Sequence, residues 1–332
     1  MRLGVVIEES RAFFEEVYAD LAAHHQTVLF QPRPSGLPVF RQRHSRWLLE
    51  KDLRRLLHTN DVVFFEWAGE RLAQASRLPR RAAIVTRLHR YELYRWADAI
   101  RWDAVDRVIL VSEAKRREFS RRFPAQAAKA VVIPEAISLP KYRAVEKPFR
   151  GQLGILCHLT PRKRVYELIL ALRHLLARRS TFHLHIGGGP HATFPDYPQA
   201  LESLVARLGL EPHVTFHGPV ADPSAWFAQI DLFISNSYSE GLQVAPMEAI
   251  ASGCFCLSHA WEGADELLPP EDLFFTEDEL VAKIFGYSDS AEDHRRELRA
   301  RQLEIVTSKF DVDRTKVRIR EQIELAGADR LS

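Results

Sequence analysis

Cysteine is scarce and long apolar runs are missing. Three cysteines in 332 residues cannot build a disulfide framework. Two of them, Cys254 and Cys256, lie in the apolar run GCFCLSH, which reads as a buried strand, so a reducing compartment is expected. No run approaches the ~18 uncharged apolar residues of a membrane helix. The opening segment LGVVI is cut short by Glu8 and Glu9, so neither a membrane span nor a secretory signal is expected and the expected location is cytoplasmic. Internal repeats and low-complexity tracts are absent. No D-x-D stands at a strand end, so no metal is expected. The triple glycine Gly187, Gly188 and Gly189 precedes Pro190 and lacks the G-x-G-x-x-G spacing and the immediate helix of a dinucleotide fold. That argues against a nicotinamide-dependent oxidoreductase, and no cofactor is expected.

What is present is an ordinary globular composition, 46% hydrophobic and 27% charged, long enough for about two domains. The net charge of +2 hides an asymmetry, because residues 1–150 hold 28 Lys and Arg against 18 Asp and Glu while the remainder holds 18 against 26. A basic half suggests an anionic partner, either a lipid surface or a phosphorylated acceptor. Nucleic acid is not expected, since no recognised module or aromatic-basic interleaving accompanies the charge.

Short β-rich runs alternate with helical patterns throughout, which predicts α/β architecture with parallel sheets. The first half offers RLGVVI, QTVLF, DVVFFE, AAIVTRL, RVILVS and AVVIP; the second offers GQLGILC, FHLHIGG, HVTFHG, DLFIS and CFCLSH. A break is expected at EKPFRGQ, giving domains 1–148 and 149–310. Residues 311–332 read as an amphipathic helix through Val317, Ile319, Ile323 and Leu325, which either closes the second domain or crosses back to the first.

The most informative segment is ISNSYSEGLQVAPMEAIASG. A strand ends in a polar loop, Gly241 follows, and a helix begins near Gln243 or Val244, with Pro246 in its first turn and Gly253 at its stop. Backbone N–H groups at Gly241, Leu242 and Gln243, backed by the positive helix end, form an anion cradle. Glu240 lies in the loop and Glu248 lies within an otherwise apolar helix, where an unpaired carboxylate is costly.

The string SEGLQVAPMEAIASG resembles the signature of retaining glycosyltransferases of family 4 (glycosyl transferases group 1). Those enzymes have the GT-B fold, two facing Rossmann-like domains with an inter-domain cleft. GILCHLTPRKRVYELILAL, FHLHIGGGP and HVTFHGPV resemble that family's donor-domain segments in order, and IVTRLHRYEL, RVILVSEAKRREF and VVIPEAIS follow its order in the first half. The resemblance spans about residues 80–290. It implies an acceptor-side N-terminal domain, a donor-binding C-terminal domain, and a metal-independent transfer of sugar from a nucleotide-sugar, UDP-linked by default, to a glycan or lipid-linked acceptor.

Carried over by position, the resemblance implies that Glu248 holds the donor ribose and that Glu240 contacts the sugar. Gly241, Leu242 and Gln243 would offer backbone N–H groups, and Lys163 would bind the diphosphate, where a fixed cation stabilises charge on the leaving nucleotide. Gly188 and Gly189 would leave room for the nucleotide, Gly218 and Val220 would line the base pocket, and His89 would face the donor sugar. The catalytic set is therefore His89, Lys163 and Glu240.

Several positions depart from the family. His158 stands where an arginine is usual, so either His158 is protonated or Arg162 or Arg164 takes that role. Trp261 and Glu262 replace small residues, and the usual glycine-rich loop after the first strand is absent, with Ser10 expected to cap a helix there. Arg87 and Glu92 are alternatives to His89. These departures keep a second reading open, a catalytically inactive nucleotide-sugar or glycan-binding partner subunit.

Finally, RQRHSRWLLEKDLRRLLHTN mixes Arg41, Arg43, Arg46, Lys51, Arg54 and Arg55 with Trp47 and leucines. Such a helix either packs a core beneath a solvated basic face or lies on an anionic membrane, at the inner surface for a cytoplasmic protein.

Overall fold

The computed structural model describes residues 1–9, 14–34 and 41–331; Ser10 lies outside them. The chain forms two compact units, Met1–Pro134 together with Val312–Ser332, and Glu135–Asp311. The first contains β1 (Arg2–Ile7), α1 (Glu15–His24), β2 (Gln26–Leu29), α2 (Arg41–Thr59), β3 (Val62–Glu66), α3 (Glu70–Ala75), β4 (Ala83–Leu88), α4 (Arg90–Arg95), β5 (Arg107–Leu110), α5 (Glu113–Arg122) and β6 (Ala130–Val132). The second contains β7 (Gln152–Leu156), α6 (Val165–Arg178), β8 (His183–Gly187), α7 (Tyr197–Leu208), β9 (Val214–Gly218), α8 (Pro223–Phe227), β10 (Leu232–Ser235), α9 (Val244–Ala251), β11 (Phe255–His259), β12 (Leu273–Phe274), α10 (Glu277–Asp289) and α11 (Glu292–Lys309). The last helix, α12 (Val312–Leu331), belongs to the first unit.

Each unit is built on a six-stranded sheet, ordered β2-β1-β3-β4-β5-β6 in the first and β12-β11-β10-β7-β8-β9 in the second. Every strand pair is parallel. Strand alternation divides the first core into two layers. Val63, Phe65 and Ile84 pack with Leu53 and Leu57 of α2. Their neighbours Val62, Phe64 and Val85 pack on the other side with Val17 and Leu21 of α1 and with Ile319 and Ile323 of α12. Each fully buried side chain of this kind contributes about 1.5–3 kcal/mol.

Three expectations need correction. β12 was not foreseen, because two residues are too few to show a period. The units divide after Pro134 rather than at 148/149. Residues 135–148 lack regular periodicity but are fastened to the second unit. Ile137 N donates to Phe310 O at 2.9 Å and Val145 N to Ser252 O at 3.4 Å, while Lys147 Nζ donates to Phe227 O at 3.1 Å and Ala228 O at 3.0 Å. In α12 the buried seam runs Val312, Thr315, Ile319, Ile323 and Ala326, whereas Leu325 is 47% exposed. The i, i+3 and i+4 spacing outweighs the apolar character of Leu325.

Cys254 and Cys256 are buried beside and within β11, and burial pushes the Cys254 thiol up to about 12. On the sheet face formed by β7, β8 and β9, imidazoles form a chain: His185 Nε2 meets Gln152 Oε1 at 2.8 Å, His185 Nδ1 meets His217 Nε2 at 2.9 Å, and His183 Nε2 meets Thr215 Oγ1 at 2.8 Å. Burial, then His183 and His217, hold His185 down at about 4, with Asp231 opposing and Arg150 reinforcing the shift. His183, which also feels His213, and His217 are lowered mainly by burial. The unfolded imidazoles take up protons below about 6.5 while the folded cluster resists. Stability from this source is therefore complete above that pH and is lost as pH falls from about 6.5 towards 4. The melting temperature is expected to fall across this window, and His185→Gln is expected to flatten the slope; parallel slopes in a pH series of thermal melts would contradict this assignment.

Candidate functional site

In the second sheet the strand order reverses between β7 and β10. The crevice outside the carboxyl ends of two such strands is where open α/β sheets take ligands. The loop after β7 runs through His158 to the turn Pro161–Lys163, and the loop after β10 runs through residues 236–242 to α9. The two loops are laced together. Asn236 Nδ2 donates to Arg164 O at 2.8 Å, Arg162 Nη1 to Ser239 O at 2.8 Å, and Tyr238 N to Arg162 O at 3.2 Å.

At the centre stands Glu240, 8% exposed. Its Oε1 accepts from Lys163 Nζ at 2.7 Å and from Gln243 Nε2 at 3.0 Å, and it is paired with the Arg162 guanidinium. Burial alone would raise this carboxyl, but the charges of Lys163 and Arg162, with hydrogen bonds from Lys163 and Ser237, outweigh it and hold the group at about 2. Glu240 is thus ionised at neutral pH. Two cations share one carboxylate, which leaves the cluster with one net positive charge.

Gln243 is the N-cap of α9, yet its side chain does not cap the helix. It accepts from the Ser235 hydroxyl and donates to Ser237 Oγ at 3.1 Å and to Glu240. The first-turn N–H groups of α9 have no intrahelical acceptors, and the helix start is left to attract an anion beside the two cations. Gly241 and Leu242, which lead into it, are buried.

Glu248 lies one turn further along α9. Its Oε1 accepts from Tyr142 Oη at 2.5 Å. Burial raises its carboxyl, opposed by the Tyr142 hydrogen bond and by the charge of Lys141.

The structure sorts the remaining expected residues. His158 is exposed. Partial burial, then His191, Lys163 and Arg162, hold its imidazole below the ordinary range, so it is neutral at neutral pH rather than a substitute cation. Arg162 is the guanidinium at the cluster, whereas Arg164 turns to Glu167 at 3.7 Å. The glycine loop has a packing reason: Gly188 has φ +123°, and a Cβ there would lie 1.7 Å from the Cys157 carbonyl oxygen. Gly188 N donates to Gly218 O at 2.8 Å and Leu159 N to Gly189 O at 2.9 Å, which fastens the ends of β7, β8 and β9 together. Val220 is half-buried after β9, and Trp261 is buried rather than projecting.

In the first unit, His89 is the N-cap of α4, its N–H donating to Glu92 Oε2 at 3.1 Å in a capping box. Its Nε2 lies 3.0 Å from Glu66 Oε1, and its ring stacks on Trp67 at 4.0 Å between centroids. Trp67 carries φ +76°, a strained conformation for a bulky residue. Arg87 and Glu92, the alternatives to His89, are only 2% and 1% exposed and are internal residues.

Sequence reasoning missed the roles of Tyr142 and the Gln243 side chain. Tyr142 lies 106 residues from Glu248, so no local pattern announces the pair. The alternate serines of ISNSYS were the available sign for Gln243, since Ser235 and Ser237 project to one side of the strand end.

A parallel sheet with reversed strand order, two cations at the reversal and an uncapped helix start meet in the second unit, and the chain adopts the GT-B fold. The shared fold spans the chain. HepE from Anabaena, solved with UDP and glucose, superposes with a TM-score of 0.78 at 20% identity over 98% of this chain and 99% of that one. Sucrose-phosphate synthase from Thermosynechococcus elongatus gives a TM-score of 0.76 at 14% identity over 99% and 100%. Residues 150–286 match the family described as glycosyl transferases group 1. The D-inositol 3-phosphate glycosyltransferase of Streptomyces avermitilis is 27% identical over 167 residues, 45% of this chain and 36% of that protein. Its counterpart from Nocardia farcinica is 29% identical over 164 residues, 45% and 36%. The matched region spans little more than a third of those relatives' length. Among the described residues no group of three or more His, Cys, Asp or Glu is placed to hold a metal, and no helix is long and apolar enough to cross a membrane.

Removing the Glu240 charge leaves Lys163 and Arg162 repelling each other. Glu240→Gln is expected to lower stability by about 3 kcal/mol at neutral pH, the order of the free energy of a shift from 4.5 to about 2. An unchanged urea midpoint would show that the three groups are not coupled.

Proposed function

We propose that the protein is a retaining glycosyltransferase that moves a sugar from a nucleotide-sugar, a UDP-sugar by default, to a hydroxyl of a glycan or lipid-linked acceptor. The observation that carries this reading is the pairing of Lys163 and Arg162 around Glu240 at the strand-order reversal, beside the α9 N-terminus. This is a built receptor for a diphosphate. In support, HepE has been solved with UDP and glucose, and the curated relatives are named for sugar transfer to an inositol phosphate.

In this reading the bond between the anomeric carbon and the leaving phosphate breaks, and its electron pair passes to the phosphate oxygen. Lys163, Arg162 and the helix start stabilise that charge, fixed cations being worth most where they need no reorganisation. The acceptor hydroxyl forms the new bond on the same face and gives its proton to the departing phosphate oxygen. Configuration is retained without a dedicated base, and the cations and helix dipole take the part a metal plays elsewhere. Glu240 meets the sugar hydroxyls and Glu248 takes the ribose diol. Gly188, Gly189, Gly218 and Val220 frame the nucleotide. His89 is held by Glu66 and Trp67 within the first unit.

Lys163→Ala is expected to lower transfer at least 100-fold, the loss typical of one charge-stabilising group, and Glu248→Gln to lower it severely through lost ribose binding, each with the circular dichroism spectrum unchanged. Wild-type turnover in both, measured by nucleoside diphosphate release, would sink the site assignment. One observation favours the binding-subunit reading: His158 supplies no fixed charge where the family has an arginine. Slow donor hydrolysis by the protein supports the enzyme; nucleotide-sugar binding with no hydrolysis or transfer supports the subunit.

We also propose peripheral contact with an anionic membrane through α2, at the cytoplasmic face. Leu53 and Leu57 fill the core while Trp47 stands 54% exposed, and Arg43, Arg46, Lys51 and Arg55 are exposed beside it. Each such cation contributes about 1 kcal/mol near an anionic surface. Co-sedimentation with anionic liposomes, reversed by salt, is expected; equal sedimentation with neutral liposomes would refute it.

A further inference from the structure

Glu248 is a flexible side chain in an apolar helix, and a carboxylate that must meet two adjacent hydroxyls needs its rotamer held. Among the described residues Tyr142 alone donates to it, at Oε1. The phenol arrives on a segment without strand or α-helix that is fastened at both ends. Ile137 bonds to Phe310 O on one side, and Val145 and Lys147 bond to the backbone of Ser252, Phe227 and Ala228 on the other. Gly253, which closes α9, makes the second fastening possible. Its φ is +90°, and a Cβ there would lie 2.9 Å from Val145 N and 3.0 Å from Val145 O. The helix that carries Glu248 therefore ends in the residue that admits the segment carrying Tyr142.

We infer that Tyr142 is a positioning residue of the nucleotide pocket: its hydroxyl fixes Oε1 of Glu248 and reserves Oε2 for the ribose diol, so that the segment 135–148 sets the preference for ribonucleotides over 2′-deoxyribonucleotides. This rests on the reading of Glu248 given above. Chemistry supports the division of labour. A phenol O–H is a donor that keeps its proton across the working pH range, and a charge-assisted hydrogen bond is short and directional. It also offsets the desolvation of Glu248, with Lys141 as the second contributor. In Tyr142→Phe only the Lys141 charge remains, so the carboxyl rises further and the ionised acceptor is lost at a higher pH.

The test uses the full chain and calorimetric titration with UDP and 2′-deoxy-UDP, or with the GDP or ADP pair if that base binds more tightly. The wild type is expected to favour the ribonucleotide about tenfold or more, a hydrogen bond to a charged group being worth that much. Tyr142→Phe is expected to lower the ratio towards that of Glu248→Gln, to move the acid limb of binding to higher pH, and to raise KM for the donor more than it lowers kcat. A normal melting curve for Tyr142→Phe keeps the comparison clean, since only one oxygen is removed. If the wild type discriminates and Tyr142→Phe keeps both the ratio and the acid limb, the inference is overturned while the reading of Glu248 stands. Equal wild-type affinities for the two sugars overturn the reading of Glu248 and the inference with it.

Discussion

Much of the second unit's design follows from keeping two cations together at the end of a parallel sheet. Lys163 and Arg162 repel each other, and the segment that carries them is a short turn with little intrinsic stability. Glu240 resolves the conflict from the opposite loop, at the cost of burying its own charge. Gln243 then becomes necessary, because a carboxylate taken from water needs every available donor. Its side chain is consequently unavailable as a helix cap, and the start of α9 is left open to an anion. The electrostatic character of the site thus comes from one compromise rather than from independent features.

The same economy appears around the second glutamate. Glu248 lies among apolar neighbours, where a lone carboxylate would tend to protonate, and its remedy comes from a distant segment rather than from its own helix. The two acids are consequently tuned apart. One is ionised down to about 2 and the other is pushed upward, so they respond differently to acid although only seven residues separate them in sequence.

Most of the framework was legible in the sequence, because alternation and apolar runs report directly on buried strands. Eleven of the twelve strands among the described residues were anticipated, and the exception, Leu273–Phe274, is too short to carry a period. The strand-loop-helix after Asp231 was legible because glycine, proline and polar residues mark its corners. Three things were hidden, each for a physical reason. The unit boundary was misplaced because residues 135–148 are held by isolated backbone and lysine bonds, which composition does not record. The charge state of His158 is set first by its partial burial and then by its neighbours His191, Lys163 and Arg162, none of which its own identity records. The glycines at 187–189 looked like a ligand loop, yet Gly188 is required first by the Cys157 carbonyl.

The return of α12 to the first unit also bears on the order of assembly. Ile319, Ile323 and Ala326 complete a core layer whose other members come from the first 133 residues, and Arg320 reaches back to Asp20. During synthesis the amino-terminal sheet must emerge with that layer uncovered and wait while the whole of the second unit is made. The second unit, continuous in sequence, is free to mature before α12 leaves the ribosome. The first unit is therefore completed after the second although its sheet precedes it in sequence, and removing α12 would injure a core built from strands about 180 residues and more before it.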